Sequence, residues 1–235
     1  MRLLGRALIT LLLALVVTGG WVGGRWLLDP TNLPLRRIEL LGTLEHTPRD
    51  ELKAALTQFT GGSFLQVPVA RVRSVLEAQP WVARAVVTRR WPDTLQVRVE
   101  ERRPLVRWND NQLLDQSGQR FFGRLQDDAD LARLQGPPGS EQVLLESYLQ
   151  ARRQLAAVGL ALAELHQDVR GARTLVLRSG PTLLLGRHQF DSRLKRFCAA
   201  YRRALTDRAE DIVGVDLRYA NGFSVRWKAP LPEQG

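Results

Sequence analysis

The side chains able to do chemistry in this 235-residue chain are few and far apart. Its three histidines, His46, His166 and His188, fall in three separate segments. His188 comes shortly before Asp191, but an aspartate opening an apolar helical stretch reads as a helix cap. Glu100 and Glu101 adjoin at the end of an alternating run. Neighbours on a strand point to opposite faces, so the two do not converge as an acid–base pair. The single cysteine, Cys198, allows no intramolecular disulfide. It keeps helical spacing with Leu194, Phe197, Tyr201 and Leu205, which predicts a small buried hydrophobe rather than a nucleophile. No HExxH, GxSxG, phosphate-binding loop or paired-cysteine motif occurs, and metal-ligand spacing is missing. These residues predict no catalytic site, no metal site and no cofactor.

The other chemistry open to the chain is recognition. Its net charge is +10 and its pI about 11. Lysine occurs only at positions 53, 195 and 228, so arginine carries nearly all of the basicity. The arginines are scattered, and no four basic residues run together, whereas a nucleic-acid surface should be clustered. The C-terminal text is more specific. From Val213 to Tyr219 the odd positions are apolar, while Asp216 and Arg218 point the other way. Asn221-Gly222 predicts a two-residue hairpin turn. Phe223, Val225 and Trp227 then alternate with Ser224 and Arg226. The prolines beyond Lys228 cannot continue a ladder. This last strand therefore has one neighbour and an open side, a template onto which another chain can add a strand. Tyr219, Phe223 and Trp227 either pack the hairpin core or offer an apolar contact to that guest. Arg218 and Arg226 are placed to meet acidic groups.

Other elements must position this hairpin. Ala7 to Gly24 carries no charge and follows Arg2 and Arg6. At about 1.5 Å per residue it covers about 27 Å of a bilayer core of about 30 Å. Arg25 can snorkel, so residues 7–28 predict a transmembrane helix, with Trp21 and Trp26 at its outer interface and Asp29-Pro30 as its stop. A cleaved signal peptide fits less well, because Val17-Thr18-Gly19 is a poor cleavage site and apolar character continues past it. Residues 1–6 form a cytoplasmic tail, and the bulk of the chain lies outside.

Leu35 to Gly42 alternates as a strand. Thr47-Pro48-Arg49-Asp50 starts a helix, with Thr47 as its cap and Leu52, Ala55, Leu56 and Phe59 on one face. Pro68 opens a second helix with a stripe of Val69, Val72, Val75 and Leu76. Trp81 to Arg90 and Thr94 to Glu101 are strands joined by Trp91-Pro92-Asp93. The order strand, helix, helix, strand, strand predicts a two-layer module over 35–104. A second module, 105–228, follows. It has a strand–turn–strand around Asp115 and Gly118, a helix carrying Leu144, Leu145, Tyr148, Leu149 and Leu155, strands at 174–178 and 182–185, a helix capped by Asp191, and the closing hairpin. Residues 229–235 are a C-terminal tail. The fold class is α+β: one transmembrane helix, the β-α-α-β-β module, and a mixed α/β domain with a largely antiparallel sheet.

The first module resembles a POTRA domain. Its local text is similar to the FtsQ/DivIB family of cell-division proteins: Pro80-Trp81-Val82, Trp91-Pro92-Asp93-Thr94-Leu95, Glu100-Glu101-Arg102-Arg103-Pro104 and Trp108, all behind a single anchor. Leu113-Leu114-Asp115, Gly118 and Phe121 also fit the family, as does the block Val215-Asp216-Leu217-Arg218-Tyr219 with Asn221-Gly222 and Trp227. The resemblance implies a division scaffold of the inner membrane and septum. It implies FtsB and FtsL as direct partners, FtsB supplying the guest strand, and links to FtsK, FtsW, FtsI and FtsN. The family's Leu-Gly-Arg text adds Arg187 to the basic contacts. A POTRA-bearing secretion or outer-membrane assembly component is the alternative, but the chain after Pro104 is too short for a barrel and contains two amphipathic helices.

Overall fold

A computed structural model describes residues 2–29, 31–125 and 131–228, with backbone alone for 2–10, 27 and 28. The chain divides into two compact units, Met1–Arg102 and Arg103–Gly235.

The first unit begins with helix α1 (Arg2–Leu28). Its described side chains are exposed, among them Leu11, Leu12, Leu13, Leu15, Val16, Val17, Trp21, Val22 and Trp26. Among the described residues no helix is long and apolar enough to cross a membrane. The span expected over 7–28 includes positions whose side chains lie outside the described set. The same holds for Pro30 and for the tail at 229–235.

Five elements follow: β1 (Arg37–Leu41), α2 (Arg49–Leu56), α3 (Val69–Glu77), β2 (Val82–Arg90) and β3 (Thr94–Glu101). The sheet order is β1-β3-β2, with β1 parallel and β2 antiparallel to β3. Leu52 and Leu56 from α2 and Val72 and Leu76 from α3 close over Leu95, Val97 and Val99 of β3. The apolar stripes at helical spacing and the strict alternation of β3 thus form one core. Helix α2 starts differently from the sequence expectation. Pro48 holds the N-cap position and no side-chain capping bond forms. The Thr47 amide instead donates to the Glu101 carboxylate at 2.7 Å.

The second unit is built on a nine-stranded sheet. Its strands are β4 (Pro104–Trp108), β5 (Gln112–Asp115), β6 (Arg120–Phe121), β7 (Arg133–Gln135), β8 (Leu162–Gln167), β9 (Arg173–Leu177), β10 (Thr182–Gly186), β11 (Ile212–Asp216) and β12 (Ser224–Trp227). They lie in the order β12-β11-β10-β9-β8-β7-β4-β5-β6. The pairs β4/β7, β7/β8 and β10/β11 are parallel, and the rest are antiparallel. The Asp115 carboxylate accepts from the Ser117 and Gln119 amides at 2.9 and 3.0 Å and shapes the β5–β6 turn.

Helices α4 (Glu141–Ala156) and α5 (Phe190–Ala200) pack into one core with the sheet, through Leu144, Tyr148, Ala151 and Leu155 and through Leu194, Phe197 and Cys198. Burial pushes the Cys198 thiol up in pKa, as a buried hydrophobe requires. Asp191 does not cap α5. Gln189, in a left-handed conformation, precedes the helix, and Asp191 lies in its first turn. Its carboxylate accepts from Gln150 and from Gln154 of α4, the latter at 2.6 Å, and pairs with Lys195. The polar group thus ties two helices together.

Candidate protein-binding edge

Strand β12 is the end strand of the nine-stranded sheet. It pairs antiparallel with β11 in the register Asp216↔Ser224, Val215↔Val225 and Gly214↔Arg226, with an irregularity before Ile212↔Trp227. Among the described residues no strand pairs with its other side. The hairpin differs from the one expected. Strand β11 ends at Asp216 and β12 begins at Ser224, so Asn221-Gly222 sits inside a longer connection, residues 217–223, rather than forming a two-residue turn. The register shift also breaks the alternation: Ile212 is buried and Val213 is exposed. A bulge of this kind adds one residue on one strand and re-aims its neighbours.

The connection is fastened from behind by two arginines of α5. Arg193 donates to the carbonyls of Leu185 and Arg218, the second at 2.9 Å. Arg196 donates to the carbonyls of Leu217, Tyr219 and Ala220, at 3.3, 3.1 and 2.8 Å. The Leu217 amide donates to Leu184 at 2.9 Å, holding the start of the connection against β10. Arg193 and Arg196 escaped the sequence reading. Their one signal is a spacing of three beside the apolar face that carries Leu194 and Phe197.

The three aromatics divide. Phe223 and Trp227 are half-buried against the core, with Val225 between them. The Arg208 guanidinium lies 4.3 Å from the centre of the Trp227 ring, a cation–π contact at the strand's end. Tyr219 lies in the connection, not in a strand, and is 56% exposed. The structure therefore places Phe223 and Trp227 as supports of the edge, and Tyr219 beside it.

The basic residues divide too. Arg218 lies outside the strand and grips Asp216 side-on, with Nη2 2.6 Å from Oδ2 and Nε 2.9 Å from Oδ1. That bond holds the Asp216 carboxyl below the usual carboxylate range and raises the pKa of Arg218. Arg226 faces away from the core, opposite Gly214. A Cβ on Gly214 would come within 3.3 Å of its guanidinium, so the glycine leaves room for the arginine to lie across the strand. Together with Thr182, Leu184, Asp216 and Ser224 it lines a depression of about 240 Å³. Arg187 is exposed, just past β10 and beside Gly171. Among the described residues neither Arg187 nor Arg226 has an acidic partner. Hydrogen bonds along the backbone edge, an exposed tyrosine and free guanidinium groups together suit an extended, partly acidic peptide.

Among the described residues no group of three histidine, cysteine or acidic side chains could hold a metal.

Comparison with known sequences agrees with this architecture. The sequence model described as "POTRA domain, FtsQ-type" matches residues 33–102. That described as "Cell division protein FtsQ/DivIB, C-terminal" matches residues 106–218. Proteins named cell division protein FtsQ are similar over most of the chain. The one from Allochromatium vinosum is 36% identical, with 98% of this chain and 92% of the relative covered. The one from Hahella chejuensis is 34% identical, covering 94% and 78%. The one from Neisseria meningitidis serogroup B is 32% identical, covering 100% and 98%.

Proposed function

Because the chain belongs to the FtsQ/DivIB family of cell-division proteins, we propose that it is a division scaffold that takes a strand of FtsB onto the open side of β12 and holds FtsL with it. The observation that carries this reading is the unpaired β12 edge, with exposed Tyr219 beside it. A guest strand satisfies backbone groups that the edge leaves open, and the free guanidinium groups of Arg226 and Arg187 select acidic side chains on it. Asp216 already neutralises Arg218, so an incoming acid must compete for it. Links to FtsK, FtsW, FtsI and FtsN follow from the family. The uncharged run from Ala7 to Gly24 supports α1 as a single membrane anchor, with the N-terminus cytoplasmic and residues 35–228 periplasmic at the septum. The fold offers docking surfaces, and the reading is of a binding protein without catalysis.

Co-purification of FtsB and FtsL with the full chain from membranes tests this. Tyr219→Ala should cost about 2 kcal/mol or more of binding, roughly thirtyfold, as an exposed aromatic anchor would. Val225→Pro removes one backbone donor from the strand and should also weaken capture. Arg226→Glu should weaken it more at low salt than at high, and more than Arg218→Glu does. Folded variants that capture the FtsB–FtsL pair at wild-type strength would place the partner surface elsewhere.

A further inference from the structure

One end of the first unit combines exposed arginines with an exposed tryptophan. It is the end that receives the chain from α1, and the path is short and tied. The Asp29 amide donates to Arg25 at 3.1 Å, and the Asn32 side chain donates to the Trp26 carbonyl at 3.0 Å. A few residues later the Phe64 amide donates to Leu33, Leu35 donates to Gly62, and Arg36 donates to Asp93, at 2.8, 3.1 and 3.0 Å. The β2–β3 turn therefore lies beside the point where the helix hands over to the folded unit.

That end is basic and carries a bare aromatic. Register places Arg37 and Arg90 on either side of Thr94 in one row across the sheet. Arg36, Arg37, Arg71 and Arg90 are all exposed. Arg89 is committed elsewhere, donating to the carbonyls of Phe64, Leu65 and Val67. Trp91 is 62% exposed and touches Phe64 edge-on at 5.3 Å, and Pro92 beside it is exposed as well. Carboxylates near this end are Asp29 and Asp93, and Glu39 lies two residues along β1 from Arg37, opposite Gln96. Glu45, Asp50, Glu51, Glu77, Glu100 and Glu101 follow β1, open α2, or close α3 and β3, at the other end of the unit.

We propose that this end of the first unit docks on the anionic phospholipid headgroups of the membrane that α1 enters. The inference rests on the reading of α1 as an anchor. An indole prefers the headgroup level, and a guanidinium matches a phosphate diester with paired donors. Continuity with α1 holds the basic end within reach of the surface. Attraction to an anionic leaflet is worth about fivefold in occupancy per arginine and fades within a Debye length of about 10 Å at 0.1 M salt.

The full chain reconstituted in vesicles tests the proposal, with lipids brominated near the headgroup as quenchers of tryptophan fluorescence. The Trp91 contribution is the difference between wild type and Trp91→Phe. In phosphatidylglycerol-containing vesicles Trp21, Trp26 and Trp91 should all be quenched. In pure phosphatidylcholine, or at 1 M salt, the Trp91 quenching should fall several-fold while that of Trp21 and Trp26 stays. Arg37→Glu combined with Arg90→Glu should abolish it, and Arg98→Glu, further along the same sheet, should not. Quenched Trp21 and Trp26 with an unquenched Trp91 in both lipids overturns the docking and leaves the anchor standing. Equal Trp91 quenching in both lipids, insensitive to the arginine changes, also overturns it. Unquenched Trp21 and Trp26 overturn the anchor, and the docking with it. Shielding of Trp91 only when another division protein is added assigns the surface to that protein instead.

Discussion

Glu101 carries more structure than its place at the end of a strand suggests. Its carboxylate accepts from three successive amides, Glu45 at 2.9 Å, His46 at 3.2 Å and Thr47 at 2.7 Å. The His46 ring lies 3.5 Å from the same carboxylate and stacks on Trp81 at 4.1 Å. Burial alone would raise the pKa of Glu101, but the hydrogen bonds from Glu45, Thr47 and His46 outweigh it and leave the group below its ordinary value. A depressed carboxyl stabilises the fold fully above its unfolded pKa of about 4.3, and that stability is lost as pH falls through the folded value. Glu101→Gln should therefore cost about 1–3 kcal/mol at pH 7. Urea denaturation should show the gap between variant and wild type narrowing as pH falls below about 4.3. A gap that does not change with pH would mean that the carboxylate charge is not what holds the three amides.

At the scale of elements, periodicity carried most of the sequence reading, and its failures have physical causes. Helices α2 and α3 and strands β2 and β3 follow from apolar spacing, proline positions and strict alternation. Strand β8 carries no strand signal in the sequence, because Leu162-Ala163-Glu164-Leu165 is made of good helix formers with no β-branched residue, and pairing with β7 and β9 overrides that preference. Strand β7 spans only Arg133–Gln135, too short to show a period. At the β12 edge, the identity of the last strand and its open side are legible in the sequence, and so is the outward turn of Arg226. The span of the connection is not, because Asn221-Gly222 looks the same inside a long connection as in a tight turn. Nor is its fastening, which depends on α5 lying behind it. Arg196→Ala removes the donor for three carbonyls at once. Hydrogen exchange should then rise across residues 217–223 while the β8 and β9 amides stay protected. Unchanged exchange in the connection would show that the arginine does not hold it.

For the whole molecule, the family match covers the folded modules that follow α1. The two matched regions cover 33–102 and 106–218, and β12 begins just beyond the second. Strand β12, whose edge is proposed for partner binding, thus lies outside both matched regions. The N-terminal arginines and the uncharged run predict that residues 35–228 are exported and that the run is retained. A C-terminal reporter active only outside the cytoplasm should be active, and the mature protein should keep Met1 to Leu28. A product beginning near Gly20 would replace the anchor with a cleaved leader.

The fastening of the β11–β12 connection by Arg193 and Arg196 has a kinetic consequence. An edge already held in shape gives up little conformational entropy on capture, so the ordering falls to the guest chain. Observed association rates should rise linearly with partner concentration in a single phase, and lifetimes should carry the differences between partner variants. Freeing the connection with Arg196→Ala should add a slow step that levels off at high partner concentration, the mark of a receptor that must first find its own shape.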